Sequence, residues 1–265
     1  MQPLRLALST LGLLATLPLP AAELREMTTD RPDVTESPFT LNPGHVQVES
    51  SFFEYGTDRR TPAGNQIRTT DWSFAPTNVR IGLTETTEVG FILEPLLTSR
   101  TENAGARERQ TGVGDITIRP KFNFWGDDGG STAFGLMPFV KVPTNTHGLG
   151  NRHVEGGLIV PFACTLAEGW DMGAMTEIDV IRNNNDDGYT PAWVNTVTVG
   201  HELTKKLGMY IELTSTATEG PHALTLDLGL TYAVDENLQL DAGANLGLTR
   251  AAEDLVLFTG ISRRF

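Results

Sequence analysis

Apolar and polar side chains alternate along most of this chain. Between residues 222 and 234, Leu224, Leu226, Leu228, Leu230 and Tyr232 share one face, and Thr225, Asp227, Gly229 and Thr231 share the other. That period of two is the one a β-strand imposes. Residues 237 to 249 repeat it after the turn VDEN, with Leu238, Leu240, Ala242, Ala244, Leu246 and Leu248 set against Gln239, Asp241, Gly243, Asn245 and Gly247. About twelve such segments can be read, roughly at 44–56, 67–84, 87–98, 112–125, 131–142, 153–166, 169–182, 190–203, 206–218, 222–235, 237–249 and 253–265. Most are near the ~9 to 11 residues that a tilted strand needs to cross a bilayer, or a little longer. No period of 3.6 is sustained beyond the first 22 residues.

The connections alternate as well. TETT, GDDGG, AEG, TKK and VDE are tight, while TDRRTPAGNQ, SRTENAGARERQT, PTNTHGLGN and NNNDDGY are longer and more polar. This order places every short turn at one end of an up-and-down sheet, the asymmetry of barrels with short periplasmic turns and longer outer loops. Within NNNDDGY, a polar turn with Gly188 at positive φ is expected.

A soluble sandwich and a membrane barrel both produce alternation, so the second face has to separate them. Taking each strand's parity from its apolar partners, that face carries Glu49, Arg80, Glu94, Arg119, Lys121, Lys141, Glu177, Asp179, Glu212, Asp227 and Asp241, together with Asp115 and Glu202. In GDITIRPKFNF, for instance, Ile116, Ile118, Phe122 and Phe124 point one way, and Asp115, Thr117, Arg119, Lys121 and Asn123 the other. A basic side chain on a lipid face costs roughly 2 to 4 kcal/mol at the bilayer midplane, so the opposite parity is excluded for a barrel. The eleven charges from Glu49 to Asp241 are therefore the candidates to line a lumen. The alternative is that they pair with one another and fill it.

The two ends add to this picture. Residues 1–22 hold Arg5, an apolar run to about Leu17, and Ala21 and Ala22 before Glu23, the pattern of a cleaved secretory signal. No later run of 18 apolar residues offers a transmembrane helix. Residues 23–43 do not alternate, and Asp30, Arg31 and Asp33 within them are candidates for a periplasmic arm that plugs or gates the barrel of residues 44–265. The chain closes in LVLFTGISRRF, where Leu255, Leu257, Ile261 and Phe265 share a face. Gly260 and the terminal Phe265 resemble the signal by which bacterial outer-membrane barrels are handed to their assembly machinery. Phe124, Trp125, Trp170, Tyr232 and Phe265 fall near the short-turn end and fit an interfacial girdle.

Composition removes several classes of function. With 20 Lys and Arg against 33 Asp and Glu among 265 residues, a net charge of −13, the chain has no basic surface for nucleic acid. A single cysteine, Cys164, excludes an internal disulfide framework or a cysteine-held cluster. None of the five histidines is followed by serine two residues on, and G-x-S-x-G is absent, so the serine hydrolase chemistry of some membrane barrels has no support. No cofactor or metal site is expected: His147, His153 and Glu155 do not have the spacing of a metal motif.

The segment TTDRPDVTESPFTLNPGHVQVES at residues 28–50, with GVGDITIRPKF, PFVKVPT and HELTKKLGMYIEL, resembles the outer-membrane barrel family labelled as transporters of the meta-pathway of phenol degradation. The resemblance covers essentially the whole mature chain. It implies a barrel of roughly twelve strands for the passage of small, aromatic or apolar compounds, and carries over no catalytic residues. The expectation is an all-β, closed up-and-down antiparallel transmembrane barrel in the outer membrane of a Gram-negative bacterium. Such a barrel would be a passive channel or facilitator whose partners are membrane lipids, the assembly machinery and small solutes. The competing reading is a structural or adhesion barrel with a filled interior.

Overall fold

The computed structural model describes residues 24–60, 66–183 and 185–265; the expected signal segment at 1–22 lies outside them. Fifteen β segments are present: β1 (Val46–Arg60), β2 (Ile67–Phe74), β3 (Thr77–Thr84), β4 (Thr87–Leu93), β5 (Leu96–Asn103), β6 (Ala106–Gly112), β7 (Ile116–Trp125), β8 (Thr132–Val142), β9 (Glu155–Ala167), β10 (Trp170–Arg182), β11 (Tyr189–Glu202), β12 (Leu207–Ala217), β13 (Ala223–Asp235), β14 (Leu238–Gly247) and β15 (Leu255–Arg264).

Three pairs of these segments are halves of single bent strands. β2 passes into β3 at Ala75 and Pro76, β4 into β5 at Glu94 and Pro95, and β6 into β7 at Val113 to Asp115. Proline has no N–H to donate to a ladder, which explains why two of the breaks fall there. The lower halves β3, β4 and β7 continue the ring, and β8 to β15 follow in sequence order, every pairing antiparallel. β15 then pairs with β1 from Gln47↔Arg264 to Thr57↔Leu255, so the twelve strands close and no edge is left in the ring. The upper halves continue upward from the ring: the outer part of β1, still paired with β15 as far as Thr57, pairs with β2, β2 with β5, and β5 with β6. Together they form a four-stranded tongue that rises beyond the barrel on the side opposite the short turns.

The side chains obey the parity read from the sequence. Leu228, Leu230, Tyr232, Leu240 and Leu257 lie outside and exposed, whereas Glu49, Arg80, Lys121, Glu212 and Asp227 are almost fully buried within. Among the described residues, Met137, Ile159 and Met175 form a small buried hydrophobic cluster against which Val34 rests, and Leu41, Tyr210 and Phe258 are buried outside it. A soluble sandwich would invert this distribution. The expected girdle aromatics Phe124, Trp125, Trp170, Tyr232 and Phe265 are all exposed outside, with Trp125 stacked on Phe134 and Trp170 on His201.

Two expected loops are strand instead. The first four residues of TDRRTPAGNQ continue β1 to Arg60, and SRTENAGARERQT is the tip of β5 and β6, turned tightly at Ala104 and Gly105, both at positive φ. Their alternation is hidden because both faces of the tongue are polar where it leaves the membrane. In the NNNDDGY turn it is Asp186, not Gly188, that takes positive φ, at 58°.

Candidate functional site

Residues 24–45 form no strand. They cross the barrel interior, and their polar atoms are met by side chains projecting inward from strands all around the ring. Asp30 is the centre of this arrangement. Its carboxylate lies 2.6 Å from Lys121 Nζ, 3.3 Å from Arg119 Nη2 and 3.5 Å from Arg80 Nε, and its own N–H donates to Glu49 at 3.0 Å. Burial opposes its charge, yet Arg80, Lys121 and Arg119 together hold Asp30 well below the usual carboxylate range.

Arg80, 0% exposed, uses every guanidinium N–H. Nε donates to Glu88 at 2.8 Å, and Nη1 to Glu49 at 2.8 Å and the Thr28 carbonyl at 3.0 Å. Nη2 donates to Glu88 at 3.1 Å and the Phe39 carbonyl at 3.1 Å. One side chain of β3 thus joins β1 and β4 of the wall to two points of the arm. Lys121 Nζ also reaches the Phe39 carbonyl at 3.2 Å, and Arg119 pairs with Glu36 of the arm.

The arm is seated elsewhere by the same kind of contact. Arg31 is bidentate on Asp241 of β14, at 2.8 and 3.2 Å, and donates to Ser51 at 2.6 Å. Gly260 allows this approach: a Cβ there would stand 2.5 Å from Arg31 Nη2 and 2.6 Å from the Ser50 carbonyl oxygen. Glu212 of β12 accepts the N–H groups of Val34 and Thr35, each at 2.8 Å, and the Thr35 hydroxyl at 2.6 Å. Glu88 accepts the Leu41 N–H at 2.8 Å, Asn123 donates to the Pro38 carbonyl at 3.0 Å, and Arg264 Nη1 donates to the Arg25 carbonyl at 2.7 Å. Asp33, facing Glu212, is pushed up to about 8, first by burial and then by that carboxylate. Glu36 is raised to about 7 by burial, against the pull of Arg119.

Of the eleven residues expected to face a lumen, the structure therefore gathers Glu49, Arg80, Arg119, Lys121, Glu212 and Asp241 on the arm. Asp227 sits opposite Glu212 in the β12–β13 ladder and is bonded to Thr214 and Thr225. Glu177 and Asp179 occur at successive inward positions higher on β10, above Met175, which accepts the Glu36 N–H of the arm. Glu94 accepts the Asp115 N–H at 3.1 Å where the two wall strands bend, and Lys141 lies near that same Asp115. Of the three arm candidates, Asp30 lies against Lys121, Arg119 and Arg80, Arg31 against Asp241, and Asp33 against Glu212.

Sequence reasoning missed Glu88, Glu36 and Gln47, whose Nε2 donates to the Thr28 carbonyl and to Glu49, each at 2.8 Å. Glu88 has the parity of Gly90 and Glu94, but it adjoins the turn TETT and reads as part of it. Glu36 stands in a segment without periodicity, where position carries no signal of direction.

Beyond the arm, toward the tongue, a cavity of about 350 Å³ remains, lined by Glu54, Asp71, Ser73, Leu97, Leu149, Glu253 and Val256 among others. Burial raises Glu253, helped by Asp71 and Asp58, so this end of the interior is acidic.

Residues 29–265 match the family described as "Putative MetA-pathway of phenol degradation". No curated protein matches the chain in sequence. Among solved structures, an outer-membrane channel from Pseudomonas putida F1 superposes with a TM-score of 0.65 at 14% identity, covering 88% of this chain and 100% of that one. The toluene transporter TbuX of Ralstonia pickettii gives 0.50 at 8% identity over 85% and 90% of the two chains. The translocator domain of the autotransporter NalP from Neisseria meningitidis gives 0.50 at 11% over 84% and 90%. At these identities the likeness is one of fold.

Proposed function

The chain belongs to the family described as "Putative MetA-pathway of phenol degradation", and from that premise we propose that it is a passive outer-membrane channel for small apolar or aromatic molecules, closed at rest by its N-terminal arm. The observation that carries the reading is how the arm is held. It lies across the lumen on ion pairs and hydrogen bonds to at least eight wall segments, with little apolar packing. Such contacts can be exchanged for water when the segment leaves.

The solved neighbours support the cargo class as far as their names go, since one is a toluene transporter and another an outer-membrane channel. Asp30 and Arg31 would be the latch, Asp33 a strained neighbour, and Glu49, Arg80, Arg119, Lys121, Glu212 and Asp241 its seat. Glu177, Asp179, Asp227, Lys141 and Glu94 would line the passage once the arm moves. Export through a cleaved signal at 1–22 and recognition of Gly260 and Phe265 by the barrel assembly machinery belong to the same proposal. The protein's surroundings would then be outer-membrane lipids.

The test is single-channel recording on refolded protein with and without residues 24–42, alongside uptake of toluene or phenol into loaded vesicles. The deletion is expected to convert rare openings into a steady conductance and to accelerate uptake. Equal conductance and uptake in both forms would overturn the gate. A silent deletion variant that is folded and inserted would favour the structural barrel.

A further inference from the structure

The outward face of the tongue carries a second pattern that the channel reading does not use. The strand registers align its outward side chains in four rows. The row nearest the ring is Phe53, Phe74 and Leu96; next come Tyr55, Trp72, Thr98 and Thr111. The rings of Tyr55 and Trp72 are 4.7 Å apart, and Trp72 stacks on Phe74 at 5.9 Å, which fixes these side chains on one face. Above them lie Thr57, Thr70, Arg100 and Arg109, and above those Arg59, Arg68, Glu102 and Arg107.

All five arginines are exposed. Glu102 is the one acid in the upper two rows and pairs with Arg100 and Arg107. Among the described residues, no ion pair is formed by Arg59, Arg68 or Arg109. Five cations on one face are conspicuous in a chain of net charge −13.

Their height is what gives them meaning. Rings of this kind mark the boundary between hydrocarbon and headgroups. The arginine rows stand two and four residues above the Tyr55 and Trp72 row, about 7 and 13 Å along the strands. That is the layer where phosphorylated headgroups of the outer leaflet lie. Arginine suits it because its planar fork binds phosphate oxygens in pairs.

We infer that this face of the tongue binds a phosphorylated glycolipid of the outer leaflet, its acyl chains against Phe53, Trp72, Phe74 and Leu96 and its phosphates on Arg59, Arg68, Arg100, Arg107 and Arg109. The inference rests on the outer-membrane reading of the barrel, with the tongue on the outer side. A lipid held there would brace the wall strands that bend at Pro76, Pro95 and Gly114.

The experiment uses the full chain refolded in detergent and mixed with diphosphoryl lipid A, with retained lipid counted by native mass spectrometry. Wild type is expected to retain the lipid, and the fivefold Arg→Gln variant to bind it at least tenfold more weakly. The pair R68Q/R109Q, which breaks no ion pair, should show an intermediate loss and serves if the fivefold variant does not fold. Lipid A stripped of its phosphates should be retained as poorly by wild type as the intact lipid is by the variant. K205Q/K206Q, on the short-turn side, should bind as wild type does. Equal retention by wild type and variants, equal retention of the dephosphorylated lipid, or equal capture of phosphatidylglycerol would overturn the inference. Heat-modifiable gel mobility reports barrel formation separately, so failure of the barrel reading and failure of the lipid site are distinguishable.

Discussion

Replacing Arg80 by glutamine tests the latch at its most connected point. With the arm in place, Glu49, Glu88, Asp30 and Glu36 are compensated by Arg80, Arg119 and Lys121. The substitution leaves two cations for four carboxylates in a region where Arg80 and Glu88 are 0% and 2% exposed. Withdrawal of the arm takes Asp30 and Glu36 away and admits water to Glu49 and Glu88, so the cost falls on the closed state. Removing one partner of a buried ion pair costs about 3 to 5 kcal/mol. At roughly 1.4 kcal/mol per tenfold, the ratio of open to closed arm should rise by about a hundred- to a few thousand-fold. Two assays read this: the open probability of single channels, and cleavage after Glu36 by a glutamate-specific protease added from the short-turn side. R80Q/E88Q, which restores the balance of charge, should recover part of the closure. R182Q, at an exposed pair with Asp186, should change neither readout. Open probability and cleavage in R80Q within threefold of wild type would refute the reasoning, because the arm would then be held by something other than this network.

Gly260→Ala sets a methyl group against the Ser50 carbonyl oxygen and Arg31, and the backbone oxygen cannot yield; destabilisation of about 1 to 3 kcal/mol is expected in urea unfolding of the folded barrel. Asp33 is ordinarily near 3.8 and is raised to about 8 in the seated arm, so seating favours its proton. The stability this gives is fully present below the ordinary value and is lost as pH rises to about 8, above which it no longer changes. Protease cleavage of the arm should therefore increase from acid to alkaline pH and do so less in D33N, whereas an unchanged pH profile in D33N would disprove the assignment. Leu230→Arg puts a cation on the lipid face and should cost roughly 2 to 4 kcal/mol of folding into bilayers, while an effect below 1 kcal/mol would mean that Leu230 lies outside the hydrocarbon.

The period of two carried most of the wall. Leu224 to Tyr232 and Leu238 to Leu248 needed only their alternation to be placed, because a slip of one residue would drive Asp227 and Asp241 into lipid. The inward direction of Arg80, Arg119 and Lys121 followed from the same parity. Their partners did not, since Lys121 meets Asp30 across 91 residues and Arg31 meets Asp241 across 210, and no local pattern records such a meeting. The tongue was hidden for a different reason. Arg100, Glu102, Arg107 and Glu108 are polar on both faces, and a strand surrounded by water and headgroups has no reason to alternate.

The seat of the arm is spread around the whole ring: Glu49 on β1, Glu88 on β4, Lys121 on β7, Glu212 on β12, Asp241 on β14 and Arg264 on β15. The last of these segments also makes the closing seam with β1. A barrel that has not yet joined its seam therefore has no complete seat to offer, and the arm's full set of contacts requires the pairing of the two strands most distant in sequence. If the arm is a seal, its full seat exists only in a finished wall.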